Sequence, residues 1–183
     1  MSYLEKHDQY NKSFAMSPFN MFQRAYGFPM IMTSDVYCPD PDVSYSGEIV
    51  LDHLPQDLSG KFTLDMGCGA GMIGISMAYR GANVIACDIS DKACQLTADN
   101  VRQLNPDIAN NISVLRSNLF SNLLLPYQFD IITANLWFAS AAHGSEIESR
   151  FLGAYHGFLS NVFNYLAPEG VAYMTSANFA SYE

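Results

Sequence analysis

Apolar residues along this chain are grouped in short runs separated by longer mixed stretches. Phe62-Thr-Leu-Asp-Met66, Asn83-Val-Ile-Ala-Cys87 and Phe129-Asp-Ile-Ile-Thr-Ala134 are compact, mostly apolar and bounded by turn residues. Runs of that form predict buried strands. Asn111 to Leu115 predicts a further short strand and Gly170 to Thr175 a fifth. Ile73 to Tyr79 predicts a helix reaching Arg80, and Lys92 to Leu104 a second, with Ser90 placed as its N-cap. Ile147 to Leu166 predicts a third helix, and a less regular segment precedes the first strand. Strands separated by helices imply right-handed crossovers and a parallel sheet that binds ligands at the carboxyl ends of its strands.

The turn after the first strand changes this from a fold into a candidate site. Leu64-Asp-Met-Gly-Cys-Gly-Ala-Gly-Met-Ile-Gly74 places glycines at alternate positions between strand and helix. A sharp turn beneath a bound ligand needs positions without Cβ, and Gly67, Gly69 and Gly71 supply them. The helix that follows points its first amides toward the same place. Gly69-x-Gly71-x-x-Gly74 also matches the dinucleotide fingerprint, a weak signal by itself. Asp65 argues against that reading, because a carboxylate repels a pyrophosphate but can hold the ammonium of a methionine moiety directly or through water. Asp88 closes the second strand, where a carboxylate suits a ribose diol in either cofactor class. An ordinary tight strand-to-helix turn is the alternative for the glycines.

Composition narrows the range. The 183 residues correspond to one domain able to bury a core without metals or disulfides. Eighteen acidic against nine basic residues give a formal charge of −9, with no Lys or Arg cluster, which counts against tight binding of a phosphate backbone. Cys38, Cys68, Cys87 and Cys94 form no C-x-x-C pair and have no histidine at metal spacing, so reduced thiols in a cytoplasmic protein are expected. The polar start from Met1 to Lys12 lacks a signal pattern, and no apolar run reaches about 18 residues, so no membrane association is expected.

Beyond the fourth strand lies Asn135-Leu-Trp-Phe138. An Asn carbonyl at a strand end can accept a hydrogen bond from a planar NH₂ group, while aromatic rings stack on its face. Methyl transfer to such a nitrogen needs mostly positioning. Trp137 and Phe138 read equally well as core or lid aromatics. His143 reads as a loop histidine before a general base. His7, His53 and His156 lack ligand partners, so no metal is expected. Ser46, Ser140 and Ser145 lack a nucleophile-elbow context. The Met and Phe positions from Phe14 to Met32 read as packing faces, or as a lid over the substrate.

Taken together these motifs resemble the class I S-adenosylmethionine-dependent methyltransferases, in the HemK-like and small-domain branch that includes the release-factor glutamine methyltransferases and ribosomal RNA guanine-N2 methyltransferases. The resemblance covers about residues 23 to 178 and rests on Leu54 to Gly71, on Tyr26-Gly-Phe-Pro29, on Asp35-Val-Tyr-Cys-Pro-Asp-Pro-Asp42, on Ser117-Asn-Leu-Phe120 and on Asn135 to Phe138. It implies a Rossmann-like α/β fold with a central, mostly parallel sheet flanked by helices. The last two strands of that fold are expected to be missing or truncated, because the sequence stops soon after the fifth. It also implies a segment, residues 1–45, that caps the cofactor site of a methyltransferase domain at 46–183. S-adenosylmethionine is the implied cofactor, held by Asp65, Gly67, Cys68, Gly69, Gly71, Asp88, Ile89, Asn118, Leu119 and Asn135. Asn135, Leu136, Trp137 and Phe138 are the implied catalytic loop.

The chain departs from the family's Asn-Pro-Pro-Tyr/Phe motif at Leu136 and Trp137, carries Asn118 where an acid is usual, and has Val43 in place of a Thr. The resemblance implies N-methylation of a planar nitrogen, with a protein side-chain amide favoured. Ribosomal RNA, a small molecule and a catalytically silent scaffold subunit are the alternatives. A bare sheet edge implies either pairing with a second copy or a covering N-terminal segment.

Overall fold

The computed structural model describes residues 21–25, 28–33, 35–36, 45–124, 126, 128–136 and 146–176. Cys38, Trp137, Phe138 and His143, and most of the 1–45 segment, lie outside the described residues.

Five strands form one parallel sheet: β3 (Phe62–Met66), β4 (Asn83–Asp88), β5 (Ile112–Arg116), β6 (Phe129–Ala134) and β7 (Leu166–Met174), in the order β5-β4-β3-β6-β7. Both faces of the central strands β3, β4 and β6 are covered. Leu64, Met66 and Ile132 enter one apolar cluster, and Val84, Ala86 and Ile131 enter the other, as the period-two alternation of strand side chains requires. Two-sided burial explains why the strands read as continuous apolar runs. A separate antiparallel hairpin, β1 (Met21–Ala25) with β2 (Phe28–Met32), and a helix α1 (Ser46–His53) precede the sheet. The remaining helices are α2 (Met72–Tyr79), α3 (Asp91–Asp99) and α4 (Glu146–Asn161). None of the described helices is long and apolar enough to cross a membrane.

Helix α2 is buried from Met72 through Ala78, so it has no polar face. Helix α3 starts as expected, with Ser90 Oγ accepting from the Ala93 amide at 3.4 Å. Its α-helical part ends at Asp99, and it reaches the predicted Leu104 as a π turn from Asn100. The cause is Asn100, fully buried, whose side chain accepts from Ile31 N at 2.5 Å and donates to Ile31 O at 3.0 Å and Ala70 O at 2.8 Å. The wider turn places that amide between the hairpin and the glycine loop. Asn105 repeats the device, donating to Pro29 O at 3.2 Å.

Helix α4 stops short of its expected end, passing into a 3-10 turn at Val162–Asn164. Strand β7 begins at Leu166 rather than Gly170. Pro168 and Gly170 read as punctuation before a strand, whereas they sit in an irregular stretch inside it. Glu169 has φ +67°, and the pairing with β6 shifts register between Phe129 and Ile131. β7 is the outermost strand on its side of the described sheet, with Val171 exposed.

Candidate active site

The chain runs outward from β3 in both directions, to β4 on one side and β6 on the other, so β3 marks the point where the strand order reverses. Open sheets bind ligands beyond the carboxyl ends of the strands at such a point. A cavity of about 360 Å³ lies there, within the size range of small-molecule sites.

Its floor is the glycine loop. Gly67, Gly69 and Gly71 all take positive φ, at +76°, +56° and +94°, a region costly for other residues. The amides of Gly67 and Cys68 both donate to the Cys87 carbonyl, at 2.7 and 2.9 Å, which ties the loop to the end of β4. A Cβ on Gly67 would come within 2.7 Å of Leu136 Cδ2, so the loop after β3 and the loop after β6 touch here. Gly71 is the N-cap of α2 and does not line the cavity; a Cβ there would press on Thr97 at 2.9 Å. Gly74 lets the helix close onto Asp65, which lies 3.1 Å from where its Cβ would be.

Asp65 is buried at the end of β3, at 2% exposure, yet lines the cavity. Its Oδ2 accepts from the Gly74 amide at 2.8 Å and its Oδ1 from the Thr133 hydroxyl at 2.9 Å. Burial pushes its pKa up from 3.8 to about 6, against those two hydrogen bonds, with the nearby charge of Asp88 adding a little. The group is therefore mostly ionised at pH 7, and each oxygen keeps lone pairs to offer a cation. Asp88, at the end of β4, accepts from Gly69 N at 3.1 Å and Ser90 N at 2.9 Å, which orients its carboxylate over the loop.

Ser117, Asn118 and Leu119 form one end of the cavity. Ser117 Oγ donates to the Leu119 carbonyl at 2.5 Å and accepts from Asn122 N at 3.1 Å, holding a tight turn in which Leu119 takes φ +48°. Leu119 seats against Gly157 of α4, where a Cβ would leave only 2.7 Å to its Cδ1. Phe120, stacked on Tyr165 at 4.6 Å and Phe158 at 5.6 Å, anchors the turn.

At the other end stand Asn135 and Leu136, half-buried. Asn135 Oδ1 accepts from the Thr175 hydroxyl at 2.7 Å, which uses one of its two lone pairs. Its amide nitrogen lies 3.7 Å from the Cβ position of Gly47, a position already filled by the Met72 methyl.

Asp65, Gly67, Cys68, Gly69, Asp88, Ile89, Asn118, Leu119, Asn135 and Leu136 thus converge on one cavity. Sequence reasoning missed Met72, Ser90 and Ala93 of its lining, and also Ala154 and Tyr155. Met72 lies inside the glycine motif already singled out, and Ser90 and Ala93 follow Asp88 within a few residues. The last two come from α4 with no local signature. Of the segment expected to cap the site, Asp35 and Val36 line the cavity, and Asp35 pairs with Lys92 of α3 at 2.6 Å.

Comparison with known proteins agrees with this geometry. The family described as methyltransferase small domain matches residues 28–183. The chain belongs to that family, within the class I S-adenosylmethionine-dependent methyltransferases. A Methanocaldococcus jannaschii protein provisionally named a protein N5-glutamine methyltransferase is 29% identical over 156 residues, 79% of this chain and 74% of its own length. The release factor glutamine methyltransferase of Fusobacterium nucleatum is 31% identical over 60% of this chain and 30% of its own. The chain spans only 36% and 30% of the first two curated relatives it matches. Among solved structures, the Thermus thermophilus 16S rRNA N2 G1207 methyltransferase, in complex with AdoMet and guanosine, superposes with a TM-score of 0.63. At 21% identity, over 90% of this chain and 43% of that one, it shows the shared fold.

Proposed function

We propose that this chain is an S-adenosylmethionine-dependent N-methyltransferase acting on a planar nitrogen, with a protein side-chain amide as its preferred acceptor. The observation that carries the reading is the cavity itself. A buried, ionised Asp65 and a second carboxylate, Asp88, face one side of it, and the polar side chain of Asn135 faces the other. The residues fit the group. Glycine backbone at positive φ makes room for a ligand lying on the loop, and Asp65 favours a cationic amino-acid moiety over a diphosphate. When bound, S-adenosylmethionine supplies an electrophilic methyl group. Asp65 would hold its ammonium, Asp88 its ribose, and Asn118 its base.

Asn135 would orient the acceptor. With Thr175 on one lone pair, its Oδ1 keeps a second for an acceptor N–H, and its amide nitrogen can donate to an acceptor carbonyl. A primary amide presents both groups side by side, which is why it suits this pairing better than an amine does. Little proton movement is required of the chain: the acceptor proton leaves after transfer, and positioning carries the rate. The similarity to glutamine methyltransferases supports the same acceptor class.

One feature favours a second reading, a cofactor-binding subunit without turnover. Leu136 stands where the resemblance places a proline, so the loop after β6 lacks that backbone constraint.

Incubation with labelled S-adenosylmethionine and an undermethylated lysate separates the readings. Label released by protease, resistant to nuclease and lost in Asn135→Ala supports the amide acceptor. Nuclease-released label would replace it with RNA, and no label in any fraction would favour the silent subunit. We also assign β7 as the edge through which a second copy pairs; sedimentation velocity finding only monomer at micromolar concentration would remove that assignment.

A further inference from the structure

Cys68, at the floor of the cavity, and Cys94, on the helix beside it, have no part in the proposed chemistry. Cys68 is buried in the glycine loop and lines the cavity. Cys94, partly exposed, sits on α3 next to Ala93, which also lines it. Loop and helix are held together by Thr97, whose hydroxyl donates to the Gly69 carbonyl at 2.9 Å and lies 3.4 Å from Cys68 Sγ. Cys94 is three residues before Thr97, and side chains at that spacing share a helix face with Cβ atoms about 5–6 Å apart. The Cys94 sulfur points inward along that face, 3.6 Å from the carbonyl oxygens of both Asp88 and Leu115.

We propose that Cys68 and Cys94 form a peroxide-sensitive dithiol, and that its disulfide closes the cofactor site. The two sulfurs differ in character as such a pair requires. The neighbouring Cys68 thiol stabilises the Cys94 thiolate and brings its pKa down to about 7, against partial burial. Cys68 is pushed well above its ordinary value, by Cys94 and then by burial. Cys87, a third thiol close by, is pushed up to about 12, chiefly by burial, and stays protonated. Reactivity follows the thiolate, so Cys94 reacts first.

The chemistry balances with a hydroperoxide as oxidant. The Cys94 thiolate attacks one peroxide oxygen; a sulfur–oxygen bond forms, the oxygen–oxygen bond breaks, and the leaving alkoxide or hydroxide takes a proton. Oxidation of Cys94 removes the thiolate that held the Cys68 pKa up; Cys68 then gives up its proton and attacks the Cys94 sulfenic sulfur, forming the disulfide and expelling hydroxide, which takes that proton to become water. Two thiols lose two electrons and two protons, and one peroxide is reduced. A disulfide requires Cβ atoms about 3.8 Å apart, so closure draws the loop toward α3. Gly69, held between Asp88 and Thr97, moves with it, and the cavity floor loses its shape.

The test uses the reduced chain and one equivalent of hydrogen peroxide. Intact mass should fall by two hydrogens, and peptide mapping should find Cys68 joined to Cys94. Affinity for S-adenosylhomocysteine by calorimetry should weaken by about tenfold or more and return with dithiothreitol. Cys94→Ser, and Cys94→Ala as a second variant, should bind the ligand normally when reduced and show neither effect. Oxidation that adds oxygen without a bridge, a bridge to another cysteine, or a Cys68–Cys94 bridge that leaves affinity unchanged would each overturn the proposal. Mass and mapping report on the pair independently of what the cavity binds.

Discussion

Asp65 concentrates the tension between stability and binding in one side chain. A buried acid whose pKa rises from 3.8 to about 6 binds more protons folded than unfolded across that interval. Its contribution to stability therefore declines as pH rises from about 4 to 6, and the full cost, about 3 kcal/mol for a shift of about two pH units, is present above that. Asp65→Asn removes the charge and can keep a partner for Gly74 and Thr133. We expect it to resist urea better than the wild type at pH 8, with the advantage shrinking between pH 6 and 4. The same variant should bind S-adenosylhomocysteine at least about tenfold more weakly at pH 8. Wild-type affinity should fall as pH drops through about 6, and the variant's should not. Equal affinity of the two proteins at pH 8 would show that Asp65 does not hold the ammonium. That Asp65 stands beside the glycine loop was legible in the sequence, because an acid followed by alternating glycines is a local pattern. The partners that set its pKa were not: Thr133 lies 68 positions away and reaches Asp65 only through the pairing of β3 with β6.

Elements were readable where a single period governed them and unreadable where a functional contact broke it. Four of the five parallel strands were placed within a residue or so by their apolar runs. The hairpin was missed because Pro29 reads as a residue that a central strand excludes, and it is tolerated in β2 because the hairpin is a two-stranded sheet of its own. Helix α1 was missed for a similar reason: Gly47 reads as a breaker, yet it sits inside the helix against the Met72 methyl. The π turn after α3 has no periodic signature, since its cause is a buried contact between Asn100, Ile31 and Ala70. Asn100→Ala would leave three buried backbone groups unpartnered, and we expect a loss of about 3 kcal/mol in urea denaturation. Because Ala70 belongs to the glycine loop, protease cleavage near the hairpin and weaker S-adenosylhomocysteine binding should appear together. A variant that frees the hairpin but binds ligand normally would show the two elements to be independent.

At the scale of the whole molecule, the charge of −9 bears on the acceptor, which no single residue identifies. Alternation of strands and helices fixed the sheet, and the reversal at β3 fixed the site. Neither distinguishes an amide from a base amine, since both are planar nitrogens. Long-range electrostatics does distinguish them. A nucleic-acid acceptor engages a protein through its phosphates, and a protein neutralising six to ten of them loses roughly 10³- to 10⁵-fold in affinity between about 50 and 200 mM salt. With eighteen acidic residues against nine basic ones and no basic cluster, this chain has little to neutralise phosphates with. A protein acceptor recognised through a side-chain amide in a small cavity should depend on salt weakly, because the pairing at Asn135 is uncharged. We therefore expect kcat/KM for the acceptor fraction to change by less than about threefold over that range of salt, measured as initial label transfer at fixed cofactor. A steep fall would mean that phosphates are being recognised on a surface this chain does not itself supply, and would shift the acceptor to RNA while leaving the assignments of Asp65 and Asp88 untouched.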